Sequence, residues 1–223
     1  MRLNEIQTNE GLHDPYIFKA IFMAGMPGSG KSTVRNLLFA GSGLKLVDAD
    51  EVRRAYIEMK RGGDYDVYGQ IVRRQRETYT RERLGIILDT TAWWLPSVYE
   101  TTKHLRALGY DVGMVYVDAT LEMAVSRAEK RAEQTGRVVP EDEIKKRYDA
   151  LKKNVHDYKE LFDESFWMVD NTGLQPDVSP VKRSIRRWLM SPPSSPIAKK
   201  WQNDQLVSRQ RKVATVSPEP QAS

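Results

Sequence analysis

Between residues 17 and 190 the chain alternates short apolar runs with longer segments whose apolar residues recur three and four positions apart. The short runs suit strands buried on both faces, and the longer segments suit amphipathic helices. Strands are expected at 17–24, 44–47, 85–89, 112–117 and 166–169. Helices are expected after Gly30, from Glu51 onward, over about Val67–Arg83, and from near Pro96 to near Gly109. A further helix capped by Thr120 runs to about Gln134, and the next opens at Pro140 and continues to about Phe162. Arg73, Glu77 and Arg81 form an i, i+4 ladder on the long polar helix. A closing helix over 178–190 places Val181, Ile185, Trp188 and Leu189 on its apolar side. Strands separated in this way by helices predict an α/β fold. The expected sheet has about five strands, mainly parallel, with helices on both faces and function at the carboxyl ends of the strands.

The composition narrows this picture. Of 223 residues 40% are hydrophobic and 29% charged, the balance of a soluble chain with one sizeable core. No stretch approaches the roughly 18–20 consecutive apolar residues that cross a bilayer. The opening MRLNEIQTNE lacks the layout of a secretory leader, so a cytoplasmic protein with no membrane partner is expected. The absence of cysteine excludes disulfides and thiolate zinc sites, and His13, His104 and His156 are too scattered to form a histidine-rich metal centre. The net charge of +5 is uneven, because residues 174–223 hold nine Lys/Arg against three Asp/Glu. Residues 191–223 contain five Pro and six Ser with few large apolar residues, which reads as a flexible basic tail behind a domain over 1–190. Lys199, Lys200, Arg209, Arg211 and Lys212 beside Trp201 would let that tail contact nucleic acid or an acidic partner, although such charges also simply solubilise a disordered end.

The strongest motif lies where the first strand ends. Gly25, Met26, Pro27, Gly28, Ser29, Gly30, Lys31, Ser32 and Thr33 contain a full G-x-x-x-x-G-K-[ST] pattern and form the expected nucleotide-binding stretch. Glycines let successive N–H groups face one concavity, and the following helix adds its positive end. Lys31 is placed to reach the β and γ phosphates, and Ser32 to give its hydroxyl to Mg²⁺. The expected fold is therefore of the P-loop NTPase type, with ATP and Mg²⁺ as cofactors. A dinucleotide fold is disfavoured because the third glycine of G-x-G-x-x-G is missing.

Acids at the other strand ends suggest which chemistry follows. Asp48 and Asp50 sit after the second strand. A kinase needs a carboxylate to receive the proton of the attacking hydroxyl, and Asp50 is the candidate base, with Arg53 one turn later to bind an anionic part of the acceptor. Either acid would also serve as an ordinary helix cap. Asp89 closes the third strand as an apolar run ending in an acid, which suits a Mg²⁺ ligand. The metal set is thus Ser32, Asp48 and Asp89, with the choice between the two acids left open. Thr90 follows as a substrate-side candidate. Trp93 and Trp94 wall an acceptor pocket or simply pack. Arg127, Lys130 and Arg131 form a cationic stripe before the hinge-like Gly136–Pro140. Arg127, Arg131 and Arg137 would then close as a helical lid over a triphosphate, the alternative being a solvated basic face.

From about Ile17 to Gly173 these residues resemble the zeta-toxin-like branch of P-loop kinases. The segments that carry the resemblance are GMPGSGKST (25–33), VDADEVR (47–53), ILDTT (87–91), SRAEKRAEQTGRVVP (126–140) and VDNTG (169–173). It implies an α/β phosphotransferase using ATP and Mg²⁺, nucleotide binding by Gly28 to Thr33, a base at Asp50 and phosphate contacts from Arg127 and Arg137. Zeta toxins phosphorylate a hydroxyl of UDP-N-acetylglucosamine and are neutralised by a small antitoxin. A UDP-sugar or other small phosphorylated acceptor, and an antitoxin-like partner, are what the resemblance implies here. The chain is also similar to the kinase domain of bacteriophage polynucleotide 5′-kinase. There an Asp-x-x-Arg element places the base and the acceptor's phosphate, making a nucleic-acid 5′-hydroxyl the second acceptor class. An ATP-binding regulatory protein without an acceptor is a third reading, and it leaves Asp50 without a role.

Overall fold

Buried backbone must satisfy its own hydrogen bonds, and consecutive strands joined by helices do so by pairing in parallel. The computed structural model describes Asp14 and residues 16–58, 65–135 and 138–214. In chain order its elements are β1 (Lys19–Ala24), α1 (Lys31–Phe39), β2 (Lys45–Asp48), α2 (Ala49–Glu58), α3 (Tyr65–Arg81), β3 (Ile86–Asp89) and α4 (Leu95–Ala107). There follow β4 (Asp111–Asp118), α5 (Leu121–Thr135), α6 (Glu141–Phe162), β5 (Phe166–Asp170), α7 (Ser179–Met190) and α8 (Pro196–Ala214). The five strands form one sheet in the order β2-β3-β1-β4-β5, with every neighbouring pair parallel. The chain moves outward to one side of β1 and then returns to the other, so β1 lies at the topological switch point where α/β sheets open a crevice at their carboxyl ends.

The period of two along β1 divides the core. Ala20, Phe22 and Ala24 join Leu105 of α4 and Leu151, Tyr158 and Phe162 of α6 on one face. Ile21 and Met23 join Val34 and Phe39 of α1 and Val181, Ile185 and Leu189 of α7 on the other. Each fully buried side chain of this size contributes about 1.5–3 kcal/mol, so the two apolar layers hold the sheet between its helices. Local signals act as the sequence suggests: the Thr120 hydroxyl accepts from Met123 N–H at 3.2 Å, and Glu141, Asp142 and Glu143 crowd the positive end of α6. The ladder on α3 is shorter than expected. Arg73 pairs with Glu77 at 2.8 Å, but Arg81 turns to Glu82 at 3.4 Å.

The C-terminal segment differs from the expectation of a flexible tail. Residues up to Ala214 are helical from Pro196, and the start of α8 docks on the amino edge of the sheet, opposite the glycine-rich loop. Ala198 is fully buried, and the Trp201 ring meets Phe18 edge-on at 5.5 Å with the Arg83 guanidinium over it at 5.8 Å. Ser194 donates to Asp111 through both its N–H and its hydroxyl. Asp111 also pairs at 2.7 Å with Lys19, a buried ammonium that donates at 3.0 Å to the Ser191 hydroxyl and lies 4.8 Å from the centre of the Trp188 ring. The average composition of 191–223 hides this arrangement, because Ala198 and Trp201 stand three positions apart and meet one ready-made apolar surface.

Candidate active site

The glycine-rich loop joins β1 to α1. Gly28 and Gly30 adopt φ of +80° and +86°, a region that costs any other residue backbone strain. Space imposes the same choice at Gly28, where a Cβ would stand 2.1 Å from the carbonyl oxygen of Ala124 on α5. Met26 is buried against Ala124 and Ala128 of α5 and Ile144 of α6. The loop is therefore moulded onto α5. Pro27 and Ser29 are buried as well, whereas Ser32 and Thr33 are exposed on the first turn of α1.

Lys31 folds back over the loop and donates to the carbonyls of Gly25 at 2.7 Å and Met26 at 3.2 Å. Burial pushes its ammonium below the usual lysine range; Asp89, Asp50 and Asp48 pull it up and Arg131 pushes it down. Lys31, the three acids and Arg131 thus share one electrostatic field. A phosphate would offset the cost of that buried charge, and the cradle fits such a group.

Asp48 and Asp89 are register partners at the ends of β2 and β3. Burial raises the Asp89 carboxyl above its ordinary value; Lys31 lowers it, Asp48 raises it, Arg35 lowers it and Asp50 raises it. A divalent cation suits these crowded oxygens. Among the described residues no group of three acidic or imidazole side chains forms a metal cage. Mg²⁺ in phosphoryl-transfer sites is commonly held by one or two protein oxygens with phosphate and water, so Ser32, Asp89 and Asp48 fit it. Asp48 also accepts from the N–H of Asp50 at 2.8 Å, so the capping role open to it in the sequence is realised at the start of α2. Asp50 and Arg53 are both half-buried, one turn apart on α2.

On α5, Ala124, Arg127, Ala128 and Arg131 share one face by their i, i+3, i+4, i+7 spacing, and the two alanines face the loop. Arg127 donates to the carbonyls of Asn171 at 3.4 Å and Gly173 at 3.3 Å in the β5–α7 connection. Lys130 is exposed and stands off this strip. Arg137 lies outside the described residues. The Thr90 hydroxyl oxygen accepts from Ala92 N–H at 3.1 Å and shapes the turn after β3. From α6, Tyr158 donates to the Ala92 carbonyl at 2.5 Å and Asn154 to the Trp93 carbonyl at 2.9 Å, leaving the Trp93 and Trp94 rings facing solvent.

Two residues of the site escape the sequence reading. Arg35, on the same face of α1 as Lys31, reaches Asp89 at 2.8 Å, Asp48 at 3.4 Å and Glu51 at 3.6 Å. Its i+4 spacing from Lys31 is the signal that points to it. Asn171, the first residue after β5, is buried and donates to the Ser29 carbonyl at 2.7 Å. Its signals are its place after a strand at the active edge and its membership of the VDNTG segment (169–173).

Known proteins are similar to this chain in sequence or in fold. Over 118 residues the chain is 31% identical to shikimate kinase 1 of Yersinia enterocolitica, covering 49% of this chain and 64% of that protein. The chain thus spans about 64% of the length of the curated relatives it matches. A chain of the Pnkp1/Rnl/Hen1 RNA repair complex superposes with a TM-score of 0.53 at 25% identity, covering 74% of this chain and 49% of that one. A chain of the PezAT toxin–antitoxin system of Streptococcus pneumoniae superposes with a TM-score of 0.57 at 16% identity, covering 94% of this chain and 90% of that one, and shares the fold. The Zeta toxin family model matches residues 5–173, through the glycine-rich loop, all five strands and the VDNTG turn, and the chain belongs to that family.

Proposed function

We propose that this chain is an ATP-dependent kinase that transfers the γ-phosphoryl group to a hydroxyl of a small phosphorylated acceptor, a UDP-sugar being the favoured class. One observation carries the reading: the phosphate loop, Lys31, the strand-end acids Asp48 and Asp89, Asp50 at the start of α2 and the arginines of α5 meet at the switch point of a parallel sheet. Lys31 and the loop N–H groups would hold the β and γ phosphates. Ser32 with Asp89 and Asp48 would hold Mg²⁺, which when bound neutralises charge on the phosphates. Asp50 takes the acceptor's proton as the hydroxyl oxygen bonds to phosphorus and the bond to the ADP oxygen breaks. Arg127 and Arg131 stabilise charge on the transferring group, with Arg137 as a third candidate. Arg53 positions the acceptor's own phosphate, with Thr90 beside it.

Family membership and the kinase relatives support phosphoryl transfer; the UDP-sugar and an antitoxin-like partner in a cytoplasmic setting extend from the zeta-toxin resemblance. A second reading, a polynucleotide 5′-hydroxyl kinase, is favoured by the 25% identity to the chain from an RNA repair complex and by the exposed Trp93 and Trp94 rings, on which bases stack. The test is transfer of labelled γ-phosphate, with Mg²⁺, to a panel of UDP-sugars, nucleosides and 5′-hydroxyl oligonucleotides, with Lys31→Ala as the blank. A labelled UDP-sugar is expected; label on the oligonucleotide alone would establish the second reading. ATP binding with every acceptor unlabelled would move the assignment toward an ATP-binding regulatory protein.

A further inference from the structure

We infer that Asn171 is a positioning residue of the phosphate loop: its side-chain amide fixes the peptide between Ser29 and Gly30, and with it the direction of the Gly30 N–H. This deepens the kinase reading and rests on it. The side chain is 3% exposed, and its backbone N–H donates to the Asp118 carbonyl at 2.8 Å, mooring it to the end of β4. From there Nδ2 donates at 2.7 Å to the carbonyl of Ser29, 142 residues away in sequence. Only the amide nitrogen can face that carbonyl, since the amide oxygen is an acceptor and would be repelled. Asn171 Oδ1 itself has no hydrogen-bond partner among the described residues.

In a trans peptide the carbonyl and the N–H point in opposite directions. Holding the Ser29 oxygen toward Asn171 therefore turns the Gly30 N–H away from β5. Such a lock matters where the peptide turns over at little cost, and Gly30, at φ +86° without a Cβ, is such a place. The two residues are fitted to each other, because a Cβ on Gly30 would lie 2.3 Å from Asn171 Nδ2. The main-chain carbonyl of Asn171 also accepts from Arg127. One buried residue thus ties the loop and the α5 arginine to the same turn. Without it, the N–H groups of the loop sample orientations that a phosphate must then select against, and affinity falls by the fraction misoriented.

The experiment uses the full chain and two variants, Asn171→Ala and Asn171→Leu, the second keeping most of the volume without a donor or a charge. ATP and inorganic tripolyphosphate are each titrated with Mg²⁺ by calorimetry, and KM for ATP and for the acceptor are measured in the transfer assay. Loss of one buried hydrogen bond that orients a phosphate donor is expected to weaken both probes by the same factor, on the order of tenfold, in both variants. KM for ATP rises while KM for the acceptor stays unchanged, a split that general destabilisation does not produce. Unchanged tripolyphosphate binding overturns the inference, and weakening of ATP alone would make Asn171 a contact of the base instead. If Asn171→Ala does not fold, Asn171→Leu decides between these outcomes. A wild-type chain that binds neither probe would overturn the kinase reading and this inference together, a result visible before any variant is made.

Discussion

Replacing Arg35 with Met should unsettle the acid cluster while leaving the phosphate loop itself intact. The Arg35 guanidinium is 14% exposed and bridges Asp89 and Asp48, which are 9% and 12% exposed, at 2.8 Å and 3.4 Å. Glu51, at 3.6 Å and 48% exposed, is screened by solvent and adds little. Removing one partner of a buried pair costs about 3–5 kcal/mol, and the residual exposure here places the expected loss at about 3 kcal/mol. For a chain of this size that corresponds to a fall in Tm of about 6–12 °C. Asp89 is already raised by burial above the ordinary carboxyl value, and Arg35 is one of the charges that lowers it. A carboxyl raised in the folded state binds its proton more tightly folded than unfolded. It therefore opposes folding at neutral pH, and the penalty disappears as pH falls through the raised value. In Arg35→Met that value rises further, so the Tm gap to the wild type should narrow as pH is lowered from neutrality into the acid range. Calorimetric melting of both proteins across that range checks the prediction. Equal Tm at neutral pH, or a gap that stays constant or widens on acidification, would refute the electrostatic role given to Arg35.

Other changes probe separate parts of the structure. Gly28→Ala combines a positive φ with a Cβ 2.1 Å from the Ala124 carbonyl, so ATP binding measured by titration should fall at least tenfold as the loop moves off α5. Trp201→Ala removes the ring that covers Phe18 and should lower stability by about 1–3 kcal/mol in denaturant titration with kcat unchanged, because α8 sits on the edge opposite the site.

Much of this architecture is legible from local pattern. The apolar runs and the Gly25–Ser32 motif place β1, the loop and α1, and strands ending in Asp48 and Asp89 place both acids on the active edge. The cap at Thr120 and the apolar stripe Val181, Ile185, Leu189 are likewise short-range signals. What stays hidden depends on contacts between distant segments. Asn171 gains its meaning only from Ser29, and Lys19, an oddity inside an apolar strand, only from Asp111 and Ser191 across the opposite edge. The same reason explains α8, whose composition alone describes a soluble tail while Ala198 and Trp201 find the surface made by Phe18 and Tyr110. Arg35 is an intermediate case, since its position on α1 is local but its three acids arrive from β2, α2 and β3.

Asp50 is proposed to take the acceptor's proton in a phosphoryl transfer for which Lys31 holds the donor. The direct measurement is ATP binding and labelled-phosphate transfer to the identified acceptor, side by side, for the wild type, Lys31→Ala and Asp50→Asn. Loss of both binding and transfer in Lys31→Ala is predicted, together with ATP binding near wild type but transfer reduced by about 10²–10⁴-fold in Asp50→Asn. Transfer at the wild-type rate by Asp50→Asn would remove Asp50 from the proton transfer.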